Sequence, residues 1–112
     1  MGNWLEDREI LAINTCVEKP EPAYAREHLR VDGLPLDSYL AFFGQYILQP
    51  AIFDYLEQAV REDRREWGEI QLTAALDMLC RESGVVGTVI HGGTYDFGQP
   101  ALYVDTLNTL RK

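Results

Sequence analysis

The sequence predicts an α/β fold in which a small mixed sheet is flanked by helices. Apolar segments of strand character interleave with segments whose apolar residues recur every three or four positions. That alternation is typical of a sheet covered by helices. The length of 112 residues predicts one domain over residues 1–112. A chain of this length buries roughly two-thirds of its unfolded surface, which is enough for a core.

The first segments of the chain predict a strand followed by a short helix. Residues 2–9 are short and charged, and we expect a turn-like start there. Residues 10–20 predict a strand, and the apolar or small side chains on both of its faces indicate that it is covered on both sides. Pro20 ends that strand because proline cannot continue the ladder of hydrogen bonds. Residues 23–29 are compatible with a short helix.

The middle of the chain predicts a loop and a second strand. Residues 31–37 contain Gly and Pro, which are typical of loops. Residues 38–48 are rich in aromatic side chains and predict a strand interrupted by Gly44. A glycine inside a strand often marks a bulge or a close approach of backbone.

The second half predicts three helices and two further strands. Apolar residues at helical spacing predict helices over residues 50–63 and 68–84. Residues 85–90 predict a strand, and a tight glycine turn leads into a strand over residues 94–97. Residues 99–112 predict a final helix with a proline near its start.

The overall composition excludes several classes of partner. A net charge of −8 argues against nucleic-acid binding, which usually needs a basic surface, but it allows a small phosphorylated ligand. No apolar run approaches a membrane span, and the N-terminus lacks a signal-peptide pattern. Cys16 and Cys80 are typical of reduced, buried thiols and are not a metal signature. We therefore expect a cytoplasmic protein with no membrane partner.

Three positions carry residues that suggest chemistry. Glu18 and Lys19 stand at the end of a predicted strand, so they lie at the sheet rim and could bind hydroxyls and phosphate; the alternative is a solvated strand end. Asp96 follows a glycine turn and could bind a hard cation such as Mg²⁺, or it could cap local backbone N–H groups. His91 could act as a base or be ordinary polar surface. The residues alone leave these alternatives open.

Four motifs follow one another in a characteristic order. They are "VEKP" at 17–20, "GQYIL-P-IF--LE" at 44–57, "GEIQLTAAL--L" at 68–79 and "YDFGQPALYVDTL" at 95–107. In this order they resemble the C-terminal half of the bacterial sugar-1-phosphate nucleotidyltransferases. Within that family the similarity is greatest to the UTP–glucose-1-phosphate uridylyltransferases. The resemblance covers about residues 10–110.

The resemblance implies a fold, a reaction and a set of site residues. The fold would be the C-terminal portion of a nucleotide-diphospho-sugar transferase of the glycosyltransferase-A type. The complete enzyme would convert a sugar 1-phosphate and a nucleoside triphosphate into a nucleotide sugar and pyrophosphate, with Mg²⁺ as cofactor. Glu18 and Lys19 would contact the sugar hydroxyls and phosphate, Gly44 would lie near the sugar, and Asp96 would bind the metal.

The sequence departs from the family in two places. Ala74 stands where the family usually carries Asp, so the resemblance leaves the sugar open, and the nucleotide is left open because the base-binding half of the family has no counterpart here. The glycine-rich nucleotide-binding half of the family has no counterpart here, so we expect the isolated chain to be inactive. The alternative is a natural truncated paralogue that serves as a binding or oligomerisation module. Exposed sheet edges would allow such a chain to form a homodimer.

Overall fold

The computed structural model describes residues 1–6, 9–95 and 97–111 of the chain. This part of the chain contains three strands and four helices. They are β1 (Gly2–Glu6), β2 (Ile10–Ile13), α1 (Pro22–His28), α2 (Ala51–Arg61), α3 (Leu72–Glu82), β3 (Val85–Thr88) and α4 (Pro100–Leu110). The interleaving of strands and helices confirms the predicted α/β class.

The sheet is antiparallel throughout, so the prediction of a mixed sheet is wrong for the described strands. Its order is β1-β2-β3, and β2 pairs antiparallel with both neighbours. The backbones of β1 and β2 approach each other closely at Gly2, where an added Cβ would overlap the carbonyl oxygen of Ala12. β2 and β3 pair in register from Ile10 with Thr88 to Ile13 with Val85.

Three predictions about strands are wrong, and the physical reason is the location of hydrogen-bond partners. Residues 2–6, predicted as a turn-like start, form β1. Residues 38–48, predicted as a strand, have no regular secondary structure, because they pair with none of the three strands of the described sheet. Residues 94, 95 and 97 lie outside any strand as well. Apolar and aromatic composition favours a strand only where a neighbouring strand can pair with it.

The strand predicted over residues 10–20 is shorter than expected, and its two faces are covered unequally. The regular strand ends at Ile13, although the backbone N–H of Asn14 still donates to the carbonyl oxygen of Met1, the residue opposite it in the β1–β2 register, at 2.9 Å. Leu11 and Ile13 are buried, whereas Ile10 and Ala12 on the opposite face are only half-buried. One face of β2 therefore carries the core.

The predicted helices are confirmed, with ends that shift by a few residues. α1 and α4 begin at prolines, which suit the first helical turn because they lack the N–H that would remain unpaired there. α2 and α3 are amphipathic and pack against each other. No helix in the described ranges has the length and apolar character needed to cross a membrane.

The core lies between the buried face of β2 and the paired helices α2 and α3. Its buried members are Leu11, Ile13, Cys16, Val31, Ile52, Ala75, Leu76, Leu79 and Cys80. α4 contributes no residue to this cluster. Among the described residues of that helix, Thr106 is buried. The segment that follows β2 crosses the N-terminal end of α3, where Cys16 and Glu18 both hydrogen-bond to Thr73.

Candidate functional site

Glu18 is held in place by a residue of α3. The hydroxyl of Thr73, the second residue of α3, donates a hydrogen bond to Glu18 Oε2 at 2.6 Å. The Glu18 side chain is 27% exposed, so the carboxylate is half-buried at the molecular surface. A hydrogen bond of this length to a charged acceptor is among the stronger kinds. One carboxylate oxygen is thereby fixed, and the other remains able to accept hydrogen bonds from a ligand.

Lys19 lies beside Glu18 with a largely free ammonium group. Its Nζ is 4.0 Å from Glu18 Oε1, and its side chain is 73% exposed. An exposed pair at this distance contributes little to stability. The backbone of Lys19 has φ of 41°, in the left-handed region that residues other than glycine rarely occupy. This backbone conformation costs roughly 1–3 kcal/mol and is more common at functional sites than elsewhere.

A row of polar residues along α3 anchors the segment that leads to Glu18. Asp77 Oδ1 accepts hydrogen bonds from Thr15 Oγ1 at 2.6 Å and from the Cys16 backbone N–H at 3.0 Å. Asp77 Oδ2 lies 2.8 Å from an amino group of Arg81, one helical turn further along. Together with Thr73, these residues secure both ends of segment 15–18 on one helix.

The sequence analysis missed the anchoring residues Thr73 and Asp77. The available signal was their spacing of four, which places them on the same face of the helix. A polar pair at that spacing has a simpler interpretation as a solvated face. The pairing with residues 15–18 joins positions more than fifty apart in sequence, and local patterns do not carry that information.

Gly44 lies in a different part of the surface from Glu18 and Lys19. It is the middle residue of a tight turn in which the N–H of Gln45 donates to the carbonyl oxygen of Phe43 at 2.7 Å. An open cavity of about 680 Å³ adjoins this turn. It is lined by Phe42, Phe43, Gly44, Thr94, Tyr95, Leu102, Asp105, Thr106 and Thr109.

The cavity brings Gly44 close to the segment that contains Asp96. Tyr95, the residue before Asp96, lines the cavity, whereas Asp96 itself lies outside the described residues. Glu18 and Lys19 are not among the lining residues. A Cβ at Gly44 would meet no atom within 4 Å, so packing in the described part of the chain does not require glycine there.

Tyr46 lies two residues after Gly44, and its hydroxyl is affected electrostatically by Glu18. Burial raises the pKa of the Tyr46 hydroxyl, and the nearby Cys16 and Glu18 side chains raise that pKa further. Tyr46 is therefore within electrostatic reach of the Glu18 carboxylate, although it lies only two residues after Gly44.

The remaining titratable candidates lack the features of catalytic groups. Burial raises the pKa of the Cys16 thiol to about 12, and burial also raises the pKa of the Cys80 thiol. Both thiols are therefore protonated at neutral pH and poor nucleophiles or metal ligands. His91 is exposed. Among residues 1–6, 9–95 and 97–111, no three His, Cys, Asp or Glu side chains form a metal-binding group.

Comparison with known proteins identifies relatives of nearly the whole chain. No family model matches the sequence. A protein named UTP–glucose-1-phosphate uridylyltransferase 1 from Staphylococcus saprophyticus is 39% identical over 98 residues, which are 88% of this chain. The UTP–glucose-1-phosphate uridylyltransferase of Pseudomonas aeruginosa is 35% identical over 107 residues, 96% of the chain, and that of Streptococcus pyogenes is 35% identical over 97 residues.

The chain is related to the UTP–glucose-1-phosphate uridylyltransferases. The resemblance found in the four motifs is thereby confirmed. The chain spans only about a third of the length of these uridylyltransferases, because the matches cover 29%, 33% and 27% of the three relatives. That partial coverage agrees with the predicted correspondence to a C-terminal piece of such an enzyme.

Proposed function

We propose that this chain forms the sugar-1-phosphate side of a uridylyltransferase active site. The complete enzyme would convert UTP and glucose 1-phosphate into UDP-glucose and pyrophosphate. The proposal rests on the similarity of nearly the whole chain to proteins named UTP–glucose-1-phosphate uridylyltransferases. The observation that carries it to named residues is the Glu18 carboxylate, which Thr73 holds beside the exposed ammonium group of Lys19.

Glu18 and Lys19 suit the two ends of a sugar 1-phosphate. Glu18 presents a fixed carboxylate, and carboxylates accept hydrogen bonds from sugar hydroxyls. Lys19 presents an ammonium group on a flexible stem, and such a group binds phosphate as a point charge. The phosphate must approach a chain of net charge −8, so a local cation at this position is necessary to offset repulsion. Neither residue acts as a nucleophile in this proposal.

Gly44 and Asp96 are proposed to complete the site on its other side. The aromatic and hydroxyl side chains around Gly44 are of the kinds that contact sugar rings and their hydroxyls. Asp96 would hold Mg²⁺ with oxygens of the bound phosphates, since Mg²⁺ takes few protein ligands when phosphate is present. The bound metal would neutralise charge on the phosphates during transfer.

We propose a specific fold for the complete protein as well. The described strands and helices would form the C-terminal portion of a glycosyltransferase-A-type fold in the complete protein. The nucleotide would bind in the part of the relatives that lies outside the matched region. Discrimination between UTP and other nucleoside triphosphates would therefore reside outside this chain.

Titration with glucose 1-phosphate, followed through amide NMR shifts, tests the proposal. We expect shifts centred on residues 15–19 and on the Gly44 turn, and an increase in affinity when Mg²⁺ is present. Glucose and inorganic phosphate, each alone, serve as controls for binding of one half of the ligand. Lys19→Ala should weaken glucose 1-phosphate more than glucose. No shifts at millimolar glucose 1-phosphate would contradict the proposal.

A further inference from the structure

Thr73 is the residue that fixes the orientation of Glu18. Its hydroxyl lies 2.6 Å from Glu18 Oε2, and its backbone carbonyl accepts a hydrogen bond from Cys16 Sγ at 3.5 Å. Thr73 therefore contacts the segment on both sides of Val17. Thr73 is itself anchored, because α3 contributes Ala75, Leu76 and Leu79 to the core.

We propose that Thr73 is a positioning residue for recognition of the sugar 1-phosphate. Its hydroxyl holds Oε2 of Glu18, so that Oε1 is left for the ligand beside Lys19. The proposal rests on the proposed function, because it assigns a role to Thr73 only through the Glu18 carboxylate. Thr73 itself would not contact the ligand or the reacting atoms.

The physical advantage is that the carboxylate is ordered before the ligand arrives. A glutamate side chain has three rotatable torsions, and ordering them upon binding reduces affinity. The hydroxyl of Thr73 removes that cost because the torsions are already restricted in the free protein. A threonine at the second position of a helix is well suited to this role, since its own side chain has few rotamers.

The chain contains a matched control for this role. Thr15 Oγ1 also donates a 2.6 Å hydrogen bond to a carboxylate, that of Asp77 on the same helix. Thr15→Val and Thr73→Val therefore remove equivalent hydrogen bonds and keep the side-chain volume. Both variants lose a structural contact between residues 15–18 and α3. Only Thr73→Val releases the Glu18 carboxylate.

The experiment measures the dissociation constant of glucose 1-phosphate by NMR titration of the 112-residue chain. We expect Thr73→Val to weaken binding by up to about tenfold, because the Glu18 side chain must then be ordered when the ligand binds. Thr73→Ser, which keeps the hydroxyl, should restore most of the affinity. Thr15→Val should weaken binding less than Thr73→Val, because Thr15 anchors the segment through Asp77 and does not hold the Glu18 carboxylate.

A double-mutant cycle shows whether Thr73 acts through Glu18. In the Glu18→Ala background, which removes the acceptor of the Thr73 hydroxyl, Thr73→Val should have little further effect on affinity. A full additive loss in that background would overturn the positioning role, as would equal losses for Thr15→Val and Thr73→Val. If Thr73→Val does not fold, Thr73→Ala in the same cycle provides the comparison. Failure of the original chain to bind glucose 1-phosphate would instead overturn the proposed function and this inference together.

Discussion

At the scale of single residues, Lys19 combines a strained backbone with an exposed charged group. A residue other than glycine in the left-handed region costs roughly 1–2 kcal/mol of stability. Replacement by glycine relieves that strain, but the greater backbone entropy of glycine in the unfolded chain offsets part of the relief. We therefore expect Lys19→Gly to raise the free energy of unfolding by about 0.5–1 kcal/mol while it weakens binding of glucose 1-phosphate. Urea unfolding followed by circular dichroism measures the first effect, and NMR titration measures the second.

Lys19→Ala separates the two effects of that substitution. Alanine removes the ammonium group but keeps a Cβ at φ of 41°, so it should weaken binding as Lys19→Gly does without the gain in stability. A glycine variant no more stable than the alanine variant would show that the backbone is not strained. A glycine variant that binds like the original chain would show that the ammonium group does not contact the phosphate.

The sequence predicts part of this site, and the limit has a physical cause. Glu18 and Lys19 could be placed together because they are adjacent and follow a strand. Thr73 could not be assigned to them, because the hydrogen bond to Glu18 depends on how α3 packs across the end of β2. Gly44 was predicted to interrupt a strand, yet it forms a turn. The role of Asp96 as a metal ligand stays a prediction.

At the scale of secondary-structure elements, helices are easier to predict than strands in this chain. A helix satisfies its backbone hydrogen bonds internally, so the apolar spacing within α2 and α3 was sufficient to predict them. A strand needs a partner elsewhere in the chain. The polar segment that forms β1 finds that partner in β2, whereas the aromatic segment at residues 38–48 does not pair in the described sheet.

The N-terminal end of α3 allows a prediction about helix stability. Gln71 occupies the N-cap with an extended backbone, but its side chain makes no capping hydrogen bond. We expect Gln71→Ser to raise the free energy of unfolding by about 1 kcal/mol, because a serine oxygen can accept from the N–H groups of the first turn. Urea unfolding measures the change, and a variant no more stable than the original chain would contradict it.

The charge of Glu18 limits what an acidic cap can add at the same position. The first turn of α3 has no acidic residue of its own, but the Glu18 carboxylate is bound to Thr73 within that turn. It already supplies the negative charge that the positive end of a helix favours. Gln71→Asp should therefore stabilise the chain no more than Gln71→Ser. A further gain of about 0.5 kcal/mol from Asp would show that Glu18 does not serve this helix end.

At the scale of the whole molecule, the chain is less compact than its length suggests. Its radius of gyration is 15.9 Å, whereas a compact domain of this length has about 13 Å. α4 also leaves Leu102, Tyr103, Val104, Leu107 and Leu110 exposed. These features agree with a chain that matches only about a third of its relatives. They also leave apolar surface and strand edges available for contact with a second molecule.

We expect the chain to form a dimer through the edges of its sheet. β1 and β3 are the outer strands of the described sheet, and an outer strand presents unpaired N–H and C=O groups that can pair with another chain. A lysine on such a strand opposes pairing. Val86→Lys on β3 should therefore raise the dimer dissociation constant about tenfold, which corresponds to about 1.4 kcal/mol. Sedimentation equilibrium measures that constant.

Two other valines make the test specific to position. Val60 on α2 and Val104 on α4 are 61% and 54% exposed, close to the 62% of Val86. Each Val→Lys change adds one positive charge to a chain of net charge −8, so relief of overall repulsion is the same in all three variants. Val60→Lys and Val104→Lys should leave the dissociation constant within about twofold, since neither lies on a strand edge. A monomeric original chain at millimolar concentration would contradict edge pairing. An effect confined to Val104→Lys would also contradict it, because association would then occur through α4.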